Sequence, residues 1–158
     1  MSDEQLIQAL RKLVGLPAQE FLLHREPMLL VDTLIDIGAD FARCEWLASA
    51  PEFAETGLGI PAYIGIETMA QCIAVHAGAL ARVRGFGPPL GFLLGTRHFS
   101  SSVSYFEPGR KYVAECRELV RDSQGMGSFA CRIISDGDVL AEANLAVLER
   151  PQETRLHE

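Results

Sequence analysis

Hydrophobic positions follow two rhythms along this chain, and the change from one to the other outlines its elements. Leu6, Leu10 and Leu13 recur at helical spacing behind Ser2 and Gln5, a capping-box pair, and Gly15 can end that helix in a left-handed conformation. After a loop through Pro17 and Pro27, the period shortens to two. Leu29, Val31, Thr33, Ile35 and Ile37 alternate with Asp32 and Asp36, and after a turn at Gly38 to Asp40 a second strand follows, with Ala42, Cys44, Trp46 and Ala48 between Arg43 and Glu45. The segment from Ser49 to Ile60 has no sustained period and holds Pro51, Gly57 and Gly59, which predicts a loop.

From Pro61 to Ala81 the chain reads PAYIGIETMAQCIAVHAGALA, apolar or small on nearly every side of a helix. Pro61 suits the first helical turn, and GFGPP at Gly85 to Pro89 forces an exit near Arg84. The small residues Gly65, Ala70, Ala74, Ala77 and Gly78 suit close packing against a sheet. Four strand-like runs complete the chain: Leu90 to Ser102, Tyr112 to Arg121, Ser128 to Ser135 and Val139 to Leu148. Asp136-Gly137 joins the last two as a hairpin. On the final pair, Phe129, Cys131 and Ile133 share one face, as do Val139, Ala141, Ala143, Leu145 and Val147. A curved antiparallel sheet wrapped around one central helix is the α+β arrangement that buries a helix apolar all round. Residues 1–150 then form a single domain, and PQETRLHE at 151–158 an exposed tail.

Composition narrows the function. With 158 residues and 48% hydrophobic content, the chain can build a core. A net charge of -7 without a basic stripe argues against nucleic-acid binding, and the acid-first N-terminus makes a poor signal peptide, so the expected compartment is the cytoplasm. The apolar helix is no membrane span, because Glu67, Gln71 and His76 would lie in its middle. Cys44, Cys72, Cys116 and Cys131 lack metal-ligand spacing and read as reduced core residues, with no metal and no cofactor expected.

The candidate chemistry starts at Glu67. It shares one helical stripe with Tyr63 and Gln71 at i, i+4 and i+8. A carboxylate taken out of water needs a partner or keeps its proton, which makes Glu67 either a residue satisfied by a helix end or an Arg, or a catalytic acid/base.

Three stretches carry a resemblance to the hotdog-fold 3-hydroxyacyl-carrier-protein dehydratases: LLHREPMLLVD (Leu22 to Asp32), IPAYIGIETMAQ (Ile60 to Gln71) and FEPG (Phe106 to Gly109). Within that family the chain is most similar to the divergent dehydratase-like subunits of aryl-polyene gene clusters. The resemblance implies a hotdog fold, Glu67 as the catalytic carboxylate and Gln71 as the residue that orients it. It also implies a substrate carried on the phosphopantetheine arm of an acyl carrier protein, and two subunits sharing their sites, as a homodimer or a heterodimer with another hotdog chain. The pattern departs at the loop ahead of the helix, where the family has a catalytic His and this chain has Glu52, Phe53 and Ala54.

No His lies between His24 and His76. His24, in the first matching stretch, is either the replacement base or a residue that fixes its loop. His76 reads as core, His98 as exposed or structural and His157 as inert. General acid/base help is worth roughly 10² to 10⁴ in rate, so the missing His separates two readings. One is a dehydratase using Glu67 and His24, with Tyr63, Gly65 and Gln71 contacting substrate and the N–H groups of Ala62 to Gly65 polarising the thioester. The other is a non-catalytic or half-catalytic partner subunit. An acyl thioesterase on the same fold is a further alternative. For carrier binding, Arg82 and Arg84, or Arg97, Arg110 and Lys111, are the candidate cations.

Overall fold

The computed structural model describes residues 1–49, 54 and 56–150; the tail 151–158, with His157, and the loop residues Glu52 and Phe53 lie outside them. Helix α1 (Asp3–Arg11) is closed at its start by the capping box: Gln5 N–H donates to Ser2 Oγ, and Ser2 N–H to Gln5 Oε1. Leu10 anchors α1 in the core, and Gly15 adopts φ +94° just beyond the turn that follows. A single 3-10 turn at Ala18–Glu20 then leads to β1 (Thr33–Ile37) and β2 (Phe41–Leu47).

The central helix α2 (Ile64–Val83) is followed by β4 (Leu90–Ser101), β6 (Lys111–Arg121), β7 (Met126–Ser135) and β8 (Asp138–Arg150). Two short strands, β3 (Ile60–Pro61) and β5 (Tyr105–Phe106), pair with each other. The main sheet is antiparallel, in the order β1-β2-β6-β7-β8-β4. It curves around α2, which packs chiefly on β2, β6 and β7. This is the expected α+β hotdog architecture.

Alternation works where the strands are regular. In β2, Ala42, Cys44 and Trp46 are buried, and Trp46 meets Phe106 edge-on with ring centroids 5.1 Å apart. The hairpin between β7 and β8 turns on Asp136 and Gly137, both at positive φ, as the tight turn requires. In and before β1 the predicted face holds at Val31 and Ile37 but not between them. Leu30, Val31, Leu34 and Ile37 are buried while Ile35 is exposed, because a register shift between Leu34 and Asp36 breaks the two-residue period. A similar shift between Ile133 and Ile134 turns Val139 outward. Pro61 is not in the helix but in β3, three residues before α2 begins. Strands of two residues are too short for a periodic signal, which is why β3 and β5 escaped the sequence pattern.

The outer face of the sheet carries alternating charges at paired positions: Arg43 opposite Glu115, Glu115 opposite Arg132, Arg132 opposite Glu142. Glu115 accepts from Arg43 Nε at 2.6 Å and from Arg132 Nε at 2.9 Å. Burial would raise its carboxyl, but the two guanidinium groups overcome that and hold it below the usual glutamate range.

Inside, all four cysteines are free and buried. Cys116 sits directly across from Cys131, and Cys72 of α2 lies over the strands with Sγ 3.4 Å from Ala114 O. Burial raises the Cys72 and Cys131 thiols; for Cys116 the neighbouring Cys72 is the larger cause, then burial. The helix Ile64–Val83 is long and apolar enough to cross a membrane, but here most of it is buried within the fold.

Gly78 is where α2 touches the N-terminal segment. A Cβ there would sit 1.7 Å from Phe21 O. Alanine favours a helix over glycine by about 1 kcal/mol, yet overpacking against a backbone oxygen costs about 3 kcal/mol or more, so the clash wins. Gly78→Ala is therefore expected to lower the denaturant midpoint in an equilibrium urea melt; an unchanged or higher midpoint would refute the contact.

Candidate active site

The site forms where the segment after the 3-10 turn crosses the first half of α2. Gln71, fully buried, ties the two together. Its Oε1 accepts from Leu30 N–H at 2.8 Å and Val31 N–H at 3.4 Å. Its Nε2 donates to Met28 O at 2.8 Å and to Glu67 Oε1 at 3.1 Å. Both halves of the amide are thus engaged, and Gln71 positions Glu67 while satisfying the backbone of the crossing segment. Gln71 does not line the pocket, and of the two roles expected of it only the contact with Glu67 has a partner in this geometry.

One helical turn earlier on the same face is Glu67. His24 Nε2 lies 3.6 Å from Glu67 Oε1, close enough for an ion pair when the ring is protonated but long for a hydrogen bond. The two side chains are 37% and 39% exposed, so Glu67 is not the fully buried carboxylate expected from its apolar helix. His24 Nδ1 is buried and has no hydrogen-bond partner among the described residues. Arg25 donates to Leu22 O and His24 O, both at 2.8 Å, and so folds the His24 loop back on itself.

His24 and Glu67 stand at one end of a pocket of about 130 Å³. Ala70, Ala74 and Ala77 of α2 form one wall, and Leu90, Phe92 and Leu93 of β4 another. These alanines were expected to pack on the sheet. Instead they follow Glu67 at i+3, i+7 and i+10 and leave space, a signal already present in their spacing.

Two expected contacts fall outside this constellation. Tyr63 is at the N-cap of α2, 62% exposed, and does not line the pocket. Gly65 is buried, and its missing Cβ leaves room for the Phe106 ring rather than for a ligand. The N–H groups expected to polarise a carbonyl are partly engaged: Ala62 N–H donates to Ser104 O and Gly65 N–H to Ala62 O.

The remaining histidines are elsewhere. His76 is buried with Nε2 3.0 Å from Gly38 O, and burial holds its pKa below the ordinary value, so it is a neutral core residue. His98 is exposed at a positive-φ irregularity of β4, away from the pocket. Among the expected carrier-binding cations, Arg82, Arg110 and Lys111 are paired with Glu20, Asp136 and Glu45. Arg84 and Arg97 have no ion pair among the described residues, and neither does Arg25.

Comparison with known proteins places this geometry in a family. The family described as ApeP-like, ApeP dehydratase, matches residues 16–158. The chain belongs to the ApeP-like dehydratase family. This is the group that the three matching stretches pointed to. A chain of the dehydratase heterocomplex ApeI:P from Xenorhabdus doucetiae superposes on the ApeP-like fold with a TM-score of 0.80 and 29% identity, covering 89% of this chain and 95% of that one. The Campylobacter jejuni virulence protein Cj0977 matches at TM-score 0.60 and 12% identity over 96% of this chain and 95% of its own. A mutant form of the phenylacetic acid degradation protein PaaI from Thermus thermophilus matches at 0.55 and 12%, over 74% and 91%. These last two share the fold. A search of curated proteins finds no match.

Gln71→Ala tests the positioning role. Removing the amide leaves the buried N–H groups of Leu30 and Val31 without their acceptor, at about 1–3 kcal/mol for each unsatisfied group. The urea midpoint should fall accordingly. Full stability with Ala at this position would mean that the crossing segment is held by other means.

Proposed function

We propose that this chain removes water from 3-hydroxyacyl thioesters carried on the phosphopantetheine arm of an acyl carrier protein, in aryl-polyene lipid synthesis in the cytoplasm. The observation that carries the reading is the His24–Glu67 pair, 3.6 Å apart at the end of an apolar pocket. Such a pair has both functions that the elimination needs. His24 Nε2 takes the C2 proton, Glu67 in its protonated form donates to the leaving C3 hydroxyl, and the C2–C3 double bond forms as water departs. The Gln71 amide keeps the Glu67 carboxyl aimed at the pocket. Arg97 on β4 and Arg25, whose guanidinium also holds the His24 loop, have no ion pair among the described residues and are the cations that meet an acidic carrier.

The chain works as one half of a pair with another hotdog subunit. Among the described residues, strand β4 pairs with β8 alone and its other edge is open, and Leu90, Phe92, Leu93 and Leu94 on it are 41% to 50% exposed. Three of these also wall the pocket, so a subunit seated on β4 would enclose the site and dry it. The similar protein from Xenorhabdus doucetiae is part of a heterocomplex, which supports a different chain as the partner.

Turnover is read by mass spectrometry as loss of water from a 3-hydroxyacyl-carrier protein, with the chain alone and with a hotdog partner. Glu67→Gln and His24→Ala should each lower the rate by roughly 10² to 10⁴. Unchanged rates for both would show that the chemistry lies elsewhere, in the partner if only the complex turns over. Light scattering at micromolar concentration should give a dimer mass for the assembly, and Leu94→Asp, which alters the open edge without lining the pocket, should shift it toward monomer. A dimer that Leu94→Asp leaves intact would remove β4 from the interface.

A further inference from the structure

The face of the sheet turned away from α2 is less polar than a face left to water. Val113, Ile134 and Val139 make an apolar row across β6, β7 and β8, and Val120, 66% exposed, stands with Met126 toward the other end of the same face. Between them runs the charged row of Arg43, Glu115, Arg132 and Glu142. That row is not fully paired. Arg43 gives Nε to Glu115 and Nη1 to Asp36, which leaves Nη2, and Arg132 is turned to Glu115. Glu142 is exposed and has no ion pair among the described residues.

We infer that this outer face is a second assembly surface, on which two copies of the chain pack back to back about a two-fold axis that runs along the strands between β6 and β7. An alternating row that begins with Arg and ends with Glu is its own complement when reversed. The middle of the sheet lies between β6 and β7, with β2 and β8 next on the two sides. The axis lays β6 over β7 of the second copy and β2 over β8. Arg43 then meets the unpaired Glu142 of the second copy, and Glu115 meets Arg132. Along the same two strands, Val113 meets Ile134 and the bulky Val120 meets the small Ser128. Sheets packed face to face lie about 10 Å apart and about 30° askew, so contact is fullest on the middle strands, where these rows lie.

The area is sufficient. Six strands about 4.8 Å apart, most of them about nine or more residues long, give a face on the order of 900 Å². A specific interface takes roughly 800 Å² from each partner. Drying charges already paired within the sheet offsets part of the gain, so this contact forms at concentrations above those that hold the pair at the β4 edge. The rows that meet include no residue of the Glu67 pocket, and the inference stands whatever chemistry occurs there.

Sedimentation equilibrium of the full chain, in the assembly in which it purifies, reads the contact as a doubling of mass between micromolar and near-millimolar concentration. Glu142→Arg sets Arg against Arg43 twice over, because a two-fold contact carries each substitution twice, and should weaken the doubling by about tenfold or more. Arg43→Glu should do the same by facing Glu142. Mixed in equal amounts, the two variants should associate again, since each then meets the opposite charge at both contacts. A thermal melt shows that each variant is folded. If Arg43→Glu does not fold, Ser128→Trp, which fills the space taken by Val120 of the second copy, should give the same loss. Leu94→Asp, at the β4 edge, should leave the doubling in place on a smaller starting mass. A mass that never exceeds the starting assembly would overturn the surface, as would a doubling that Glu142→Arg and Ser128→Trp leave unaltered. Loss in folded Glu142→Arg and Arg43→Glu that mixing does not restore would overturn the two-fold axis.

Discussion

Everything at the candidate site hangs on one buried amide. Gln71 reaches from α2 to Met28, Leu30 and Val31, and so decides where the segment carrying His24 crosses the helix. Its fourth contact, to Glu67, couples that crossing to the carboxyl. A hydrogen bond of this kind adds only about 1 kcal/mol net when water is the alternative, but the Leu30 and Val31 N–H groups are buried away from it. Specificity of placement, more than stability, is what the amide supplies. A different side chain at position 71 could fill the volume without fixing the distance between His24 and Glu67.

The sheet serves that arrangement from both sides. Its inner face presents small, aliphatic and aromatic residues to the core, while its outer face runs Arg43, Glu115, Arg132 and Glu142 across successive strands, a pattern that only one register satisfies. At the far edge the roles divide differently. Strand β4 lends Leu90, Phe92 and Leu93 to the pocket wall, while its outer backbone edge has no strand paired to it among the described residues. The site and the surface where a second subunit would seat are therefore built from the same strand, and neither can change without the other.

How much of this was legible in the sequence varied with the physics behind each feature. Strong periodicity gave the long strands and α2, and Asp136-Gly137 marked its hairpin, because both signals are local. The phase of β1 was not legible, since the irregularity at Leu34 to Asp36 depends on pairing with β2. Strands β3 and β5 exist through each other and have no pattern of their own. The matching stretches brought His24, Glu67 and Gln71 into view, and the structure brings them together. Motif reading could not reveal that Gln71 is fully engaged, that Gly65 is filled by Phe106 or that Ala70, Ala74 and Ala77 border open space. Those are properties of what lies opposite each residue, and the helical spacing of the alanines after Glu67 was the one available clue.

The buried cysteines give the fold a reporter of its own motion. All four sit in the region where α2 meets β2, β6 and β7, with thiols that burial and mutual proximity hold in the unreactive protonated form for at least three of them. Only the thiolate attacks an alkylating reagent, so the folded chain protects these sulfurs and the opened chain surrenders them. The rate at which they become labelled is therefore a built-in clock for the opening of the core, one that needs no engineered probe and reads the most deeply packed part of the molecule.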